Sequence, residues 1–190
     1  ALPAVQLREV IDKHVGPPPE SDREKADRLW KEGRLEEAEA VLTTLNQENP
    51  KDYDILIDLA RLQSEQGKTD SARQILDSLP GEEKLRPGAK QLAARFEFEE
   101  QARNIPPEAD LKARLEKDPS DVQAMNQLAT HRIMAGDNEA AMDLLLQSVQ
   151  TERDYEEGAA KNTLVKLFDL LGNEDPLVRQ YRRRLFAIMH

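Results

Sequence analysis

A recurring pattern of one glycine, one alanine and one leucine constrains the fold of this 190-residue chain more than any other feature. In each copy the alanine follows the glycine by five residues, and the leucine follows the alanine by four. The three copies contain Gly33, Ala38 and Leu42, then Gly67, Ala72 and Leu76, and finally Gly136, Ala141 and Leu145. The first two glycines are 34 residues apart and the next interval is 69, so a degenerate copy is expected between them, at about residues 88–119.

The segments on either side of these glycines have the apolar spacing of helices and show no two-residue alternation typical of strands. A glycine can end the first helix of a pair in a left-handed cap. A small alanine lets two helices cross closely, and the leucine fills the groove beside it. Pro50 and Pro119 then separate one pair from the next. The pattern therefore predicts an all-α fold of helical hairpins.

The period and the Gly–Ala–Leu pattern resemble the tetratricopeptide repeat. That resemblance implies about four hairpins in a short right-handed solenoid. The last hairpin keeps Gly172 but has Leu177 where the alanine belongs, as is common in terminal repeats. We expect the repeats to occupy residues 22–190. Residues 1–15 predict a separate amphipathic helix, and the proline-rich residues 16–21 predict a linker.

Composition excludes several classes of function. The chain contains no cysteine, which excludes disulfides, cysteine-based zinc sites and thiol nucleophiles. A formal net charge of -10 argues against nucleic acid as the main partner. No apolar run approaches the roughly 18 residues that a membrane span needs, so we expect no membrane partner.

No motif points to catalysis. His14, His131 and His190 are far apart in the sequence, and none lies in a metal-ligand pattern. Neighbouring glutamates such as Glu36 and Glu37 are typical of solvated helix faces. Phosphate-binding loops and hydrolase motifs are lacking. We therefore expect a non-enzymatic protein without a cofactor or metal.

Two groups of residues suggest a groove for client proteins. Asp27, Asp54 and Asp58 are expected on the first helices of successive repeats, where they would repel a peptide carboxylate and suit a basic or apolar peptide. The alternative is that these acids only solvate the helices. Phe96 and Phe98 point about 160° apart on a helix, so one should be core. The other is either exposed as a client-binding patch or covered.

The last helix, residues 177–190, presents one apolar stripe. Its members are Leu177, Val178, Tyr181, Leu185, Ile188 and Met189. We expect this stripe to pack on the preceding helix through Leu164, Leu167 and Phe168. Phe186 falls outside it, near three arginines, and is either a stray exposed aromatic or an interface anchor. The predicted partner-binding residues are Arg179, Arg182, Arg183, Phe186 and Met189.

Two segments, "LREVID" at residues 7–12 and "DPLVRQYRRRLFAIM" at 175–189, resemble the bacterial thioredoxin-like co-chaperones, the YbbN-type or chaperedoxin family. In that family a thioredoxin domain ends in such a helix and tetratricopeptide-like repeats follow. The body of that domain is missing from this sequence, so the resemblance does not extend to the redox activity of that domain. The resemblance implies a cytoplasmic holdase that binds unfolded or oxidatively damaged clients and docks on a chaperonin through its last helix.

Two alternatives remain open at this point. The chain could be a generic tetratricopeptide scaffold in another complex, with the last helix acting only as a cap. It could also be the accessory domain of a thioredoxin-fold oxidoreductase.

Overall fold

The computed structural model describes residues 20–190. The helix predicted at residues 1–15 and most of the linker predicted at 16–21 lie outside the described residues. Within the described part, every regular element is helical and no strand is present. The chain divides into two compact units between Ser78 and Leu79.

From residue 20 onward, the first unit forms two helical hairpins. Its helices are α1 (Asp22–Lys31), α2 (Leu35–Glu48), α3 (Tyr53–Glu65) and α4 (Thr69–Ser78). Ser21 begins α1 with a capping box, because its hydroxyl accepts from the Glu24 amide while the Glu24 carboxylate accepts from the Ser21 amide. The second hairpin packs on the first through α2 and α3. The buried residues of this core are Ala26, Leu29, Ala38, Leu42, Ile55, Leu59 and Leu62.

The second unit contains six α-helices among the described residues. These are α5 (Pro87–Arg103), α6 (Glu108–Lys117), α7 (Val122–Met134), α8 (Asn138–Thr151), α9 (Ala159–Leu171) and α10 (Pro176–Met189), with short 3-10 helices at Glu83–Leu85 and Tyr155–Glu157. α7 and α8 form a hairpin, α5 packs on both α7 and α9, and α8 packs on α9 and α10. One apolar cluster from α5, α7, α8, α9 and α10 joins these helices.

The repeat pattern is confirmed by the backbone and by burial. The three repeat glycines have left-handed φ values of 76°, 76° and 77° and separate the helices of their hairpins. Ala38, Ala72 and Ala141 are 0% exposed, as expected where two helices cross closely. α5 and α6 occupy the residues expected for the degenerate copy, but they do not pack as a hairpin: α5 packs on α7 and α9, and α6 packs on α7. The all-α prediction of tetratricopeptide-type hairpins is therefore correct.

The packing of the last helix differs from the expectation. α10 contacts α8 more extensively than it contacts the preceding helix, α9. Leu164, Leu167 and Phe168 belong to the same cluster as the stripe of α10, so they contribute to its core without being its main support. The reason is that α8 and α10 are the second helices of adjacent hairpins, which lie side by side when hairpins stack.

Candidate protein-interaction surfaces

The last helix is fixed firmly to the second unit. Asp175 begins α10 by accepting a hydrogen bond from the Leu177 amide at 2.7 Å, and Pro176 occupies the first turn. Val178 and Tyr181 are fully buried. At the other end of the helix, the Arg153 guanidinium donates to the Ile188 carbonyl oxygen at 2.7 Å. The exposed face of α10 is therefore presented on a well-supported helix.

Phe186 lies on that exposed face. Its side chain is 65% exposed and stacks on His190, with 4.2 Å between ring centroids. Arg183 is also exposed and has no ion pair or hydrogen bond with any described residue. These two side chains leave an aromatic ring and a guanidinium available to a partner. Whether they act as an interface stays a prediction.

The other predicted residues of this surface are less available. Arg179 donates to the Glu174 carbonyl oxygen and Arg182 donates to Asn173 Oδ1, each at 2.7 Å, so both also brace the turn before α10. The Arg182 guanidinium lies 5.5 Å from the centre of the Phe168 ring. Met189 is half-buried against the apolar cluster, so it offers only part of its side chain to a partner.

The predicted acidic residues of the first unit lie on α1 and α3. Asp27 and Asp54 are exposed, whereas Asp58 is half-buried. Asp58 pairs with Arg23 at 2.9 Å and with Arg61 at 3.5 Å. Burial raises the pKa of the Asp58 carboxyl, the two arginines oppose that shift, and Asp27 adds to it. The neighbouring arginines weaken the attraction of this face for a basic peptide, and its role in client binding stays a prediction.

Phe96 and Phe98 follow the second alternative left open by the sequence, in which both rings are covered. Phe96 is 2% exposed and Phe98 is 1% exposed, so neither belongs to an open client groove. Both can be buried on opposite sides of one helix because α5 has several neighbours, namely α7, α9 and the 3-10 helix Glu83–Leu85. Phe98 packs in the large apolar cluster of the second unit.

A groove on the second unit was not predicted from the sequence. It has a volume of about 530 Å³ and lies along α5, α7 and the beginning of α9. Its lining residues are Glu97, Glu100, Gln101, Asn104, Ile105, Asn126, Gln127, Thr130, Glu156, Ala159 and Thr163. Three of them are glutamates, and none is a lysine, arginine or histidine.

Comparisons with known protein families agree with the fold. Two family models, each described as a tetratricopeptide repeat, match residues 29–96 and 101–190. This is a tetratricopeptide-repeat protein. An uncharacterised protein of Haemophilus influenzae is 28% identical over 161 residues, which cover 83% of this chain and 73% of that protein. A crystal structure of a domain of unknown function from Vibrio parahaemolyticus is similar at 25% identity and a TM-score of 0.42, covering 87% of this chain and 96% of that one.

Tetratricopeptide repeats are typically non-catalytic modules that bind other proteins. The groove of the second unit lies along α5, α7 and α9. Each of these is the first helix of its repeat. A sequence signal for it existed, because glutamate, asparagine and glutamine are concentrated on α5 and α7. The groove could not be predicted from this concentration alone, because the degenerate copy does not reveal which helices lie next to α5.

The ring Nε2 of His131 lies 2.8 Å from the Pro106 carbonyl oxygen, a contact that holds the loop before α6 against α7. His14 lies outside the described residues. Residues 20–190 contain no group of acids and histidines arranged to hold a metal ion. None of the described helices is both long and apolar enough to cross a bilayer.

Proposed function

We propose that this tetratricopeptide-repeat protein is the protein-binding module of a holdase-type co-chaperone, and that α10 docks it on a chaperonin. The observation that carries the proposal is the exposure of Phe186 beside the unpaired Arg183 on a helix whose other face is packed. The sequence resemblance at residues 7–12 and 175–189 supports the same family. Under this proposal the clients are unfolded or oxidatively damaged proteins.

The energetics favour Phe186 as an anchor. Aromatic residues and arginine dominate the few positions that contribute most of the free energy of binding at protein interfaces. Burying an exposed phenylalanine contributes roughly 1.5–3 kcal/mol. Because Val178 and Tyr181 already fix the helix, little conformational entropy would be lost when the ring is covered.

The proposal assigns a role to each segment of the chain. Residues 22–190 form the repeat domain that binds partners. Residues 16–21 are the linker, and residues 1–15 are the last helix of a thioredoxin-like domain. This division rests on the sequence resemblance, since the first 19 residues lie outside the described part.

A generic scaffold in another complex is the second candidate. The contacts of Arg179 and Arg182 with the turn before α10 favour it, because they give these arginines a role in ending the repeat stack. In that case α10 would be a cap, and Phe186 would be a surface aromatic without a partner.

Substitution of Phe186 separates the two candidates. We expect Phe186→Ala to leave the free energy of unfolding within about 0.5 kcal/mol of the parent value, because the ring is exposed. The same change should weaken binding to a bacterial chaperonin by about 2 kcal/mol, roughly thirtyfold in Kd. Arg183→Ala should weaken binding less. If the Arg183 charge lies at the rim of the interface, its effect should be seen mainly at low salt, because salt screens exposed charges. Calorimetric titration and thermal unfolding measure the two effects.

Two controls complete the experiment. Leu85→Ala removes another exposed apolar side chain, which is 68% exposed and far from α10 in the sequence, and it should leave chaperonin binding unchanged. Val178→Ala truncates a buried residue of α10 and should lower the melting temperature. If the Phe186→Ala protein binds the chaperonin as tightly as the parent, α10 is only a cap.

A further inference from the structure

The groove along α5, α7 and α9 is a second candidate binding site, separate from the exposed face of α10. We propose that it binds an extended peptide segment rich in lysine or arginine. The proposal rests on the protein-binding role of the repeats and does not depend on docking to a chaperonin. A volume of about 530 Å³ falls within the range of roughly 300–1,000 Å³ that is usual for specific binding clefts.

Charge is the first reason for this choice of ligand. Glu97, Glu100 and Glu156 all line the groove, and no basic side chain lines it. A cleft lined by charges of one sign concentrates the field and attracts ligands of the opposite sign.

Nearby cations do not block the site. Lys166 forms an ion pair with Glu97, and Arg103 forms one with Glu100, in which Nη1 lies 3.1 Å from Oε2. Both pairs lie at the surface, where such contacts contribute about 0–1 kcal/mol each. A lysine or arginine of an incoming peptide can therefore replace them at little cost.

Asn126 supplies an independent reason. Its amide nitrogen and its amide oxygen are both inaccessible to solvent, and neither has a hydrogen-bond partner among the described residues. Buried polar atoms without partners are uncommon in native proteins and call for a ligand or another explanation. A carboxamide offers one donor group and one acceptor, which match the carbonyl oxygen and the amide of a peptide backbone. Asn126 lines the groove, so a small rotation of its side chain would place both atoms beside a bound backbone.

The position of Glu156 adds to the argument. Glu156 and Glu157 have left-handed φ values of 43° and 56°, a region that residues other than glycine rarely adopt. The Tyr155 hydroxyl donates to the Glu156 carboxylate at 2.8 Å and so orients it. Backbone strain of this kind is concentrated at binding sites, where the rest of the fold maintains it.

A peptide titration tests the proposal on the full chain. The probe is a blocked decapeptide of alternating lysine and glycine, with peptides of alternating glutamine and glycine, and of glutamate and glycine, as comparisons. We expect saturable binding of the lysine peptide, weaker binding of the glutamine peptide and none of the glutamate peptide. Replacing Glu97, Glu100 and Glu156 together with glutamine should weaken binding of the lysine peptide by about tenfold or more and reduce its salt dependence.

A matched variant separates the groove from the overall charge. Replacing Glu116, Glu139 and Glu174 with glutamine removes the same charge from exposed positions outside the groove, and we expect less than about a twofold effect. Asn126→Ala should weaken binding of the lysine peptide and of the glutamine peptide by a similar factor of roughly five to ten, because it removes contacts to the peptide backbone.

Three results would overturn the proposal. One is the absence of saturable binding, and another is an equal loss of affinity in the two triple variants, which would indicate a general charge effect. The third is self-association of the protein that is lost in the Glu97, Glu100 and Glu156 variant and also after Arg182→Gln and Arg183→Gln. This result would mean that the groove binds α10 of a second copy. None of these results bears on the binding of α10 to a chaperonin, which the Phe186→Ala titration measures separately.

Discussion

The hydroxyl of Tyr181 donates a hydrogen bond to Asp143 Oδ1 at 2.7 Å and so joins the last helix to α8, across 38 residues of sequence. The guanidinium of Arg184 donates to the same oxygen at 2.7 Å and lies 4.5 Å from the centre of the Tyr181 ring. One carboxylate thus accepts from a buried hydroxyl and from a surface cation. This shared contact is one of those that hold α10 against the rest of the second unit.

Tyr181→Phe should lower the free energy of unfolding by about 1–2 kcal/mol, because the ring stays packed while a hydrogen bond to a charged acceptor is lost. Arg184→Gln is the control. Its ion pair is exposed to solvent, so its loss should cost less than about 1 kcal/mol. Urea unfolding of the two variants measures the difference. A larger loss for Arg184→Gln would contradict this ranking.

The same tyrosine predicts a dependence on alkaline pH. The pKa of Tyr181 is raised to about 12, first by burial and then by the hydrogen bond to Asp143 and the charge of that carboxylate. The unfolded chain releases this proton near pH 10. The contribution of the raised Tyr181 pKa to the free energy of unfolding is therefore fully present below pH 10 and is lost as the pH rises toward 12. We expect the difference in unfolding free energy between the parent and Tyr181→Phe to shrink over this interval, and a constant difference would contradict the assignment.

The repeat alanines should not tolerate leucine. Ala38, Ala72 and Ala141 are 0% exposed, so each Ala→Leu change overpacks a helix crossing and should cost about 1–3 kcal/mol. Ala113 lies exposed on α6 and supplies the control, because Ala113→Leu should change the melting temperature little. Unchanged melts for all three repeat alanines would refute the alignment of the repeats.

Gly172 should be the glycine least tolerant of alanine. It has φ 86° and ψ 158°, a conformation that only glycine adopts readily, and a Cβ there would lie 3.1 Å from Gln91 Nε2. We expect Gly172→Ala to cost about 1–3 kcal/mol. Gly81→Ala is the control, since a Cβ at that position would have no atom within 4 Å and the φ of Gly81 is not left-handed. Equal melting temperatures for both variants would contradict the prediction.

Ser148→Ala should stabilise the protein. The Ser148 side chain is fully buried within α8, and its hydroxyl has no hydrogen-bond partner among the described residues. Removing an unsatisfied hydroxyl should raise the free energy of unfolding by about 1 kcal/mol, and alanine is also the better helix former. Thermal unfolding measures the change. Ser120→Ala, in an exposed turn, should give no such gain, because that hydroxyl donates to Asp118.

The sequence alone determined the local features of this protein. The spacing of Gly33, Gly67 and Gly136 predicted the hairpin turns, because a left-handed residue at the end of a helix is a property of a few neighbouring residues. The apolar stripe of α10 likewise predicted that Phe186 would lie off the packed face, since helical periodicity assigns each side chain a direction. Both conclusions need only the geometry of a single helix or turn.

Only the tertiary structure decided which helix covers each face. Phe96 and Phe98 point in different directions and are both buried, because α5 has neighbours on more than one side. The last helix packs mainly on α8 and less on the preceding helix, because second helices of stacked hairpins lie side by side. The acidic groove around Asn126 arises where three helices, distant in sequence, meet. Periodicity gives the direction of a side chain from its own helix, whereas burial depends on which other helices are present in that direction.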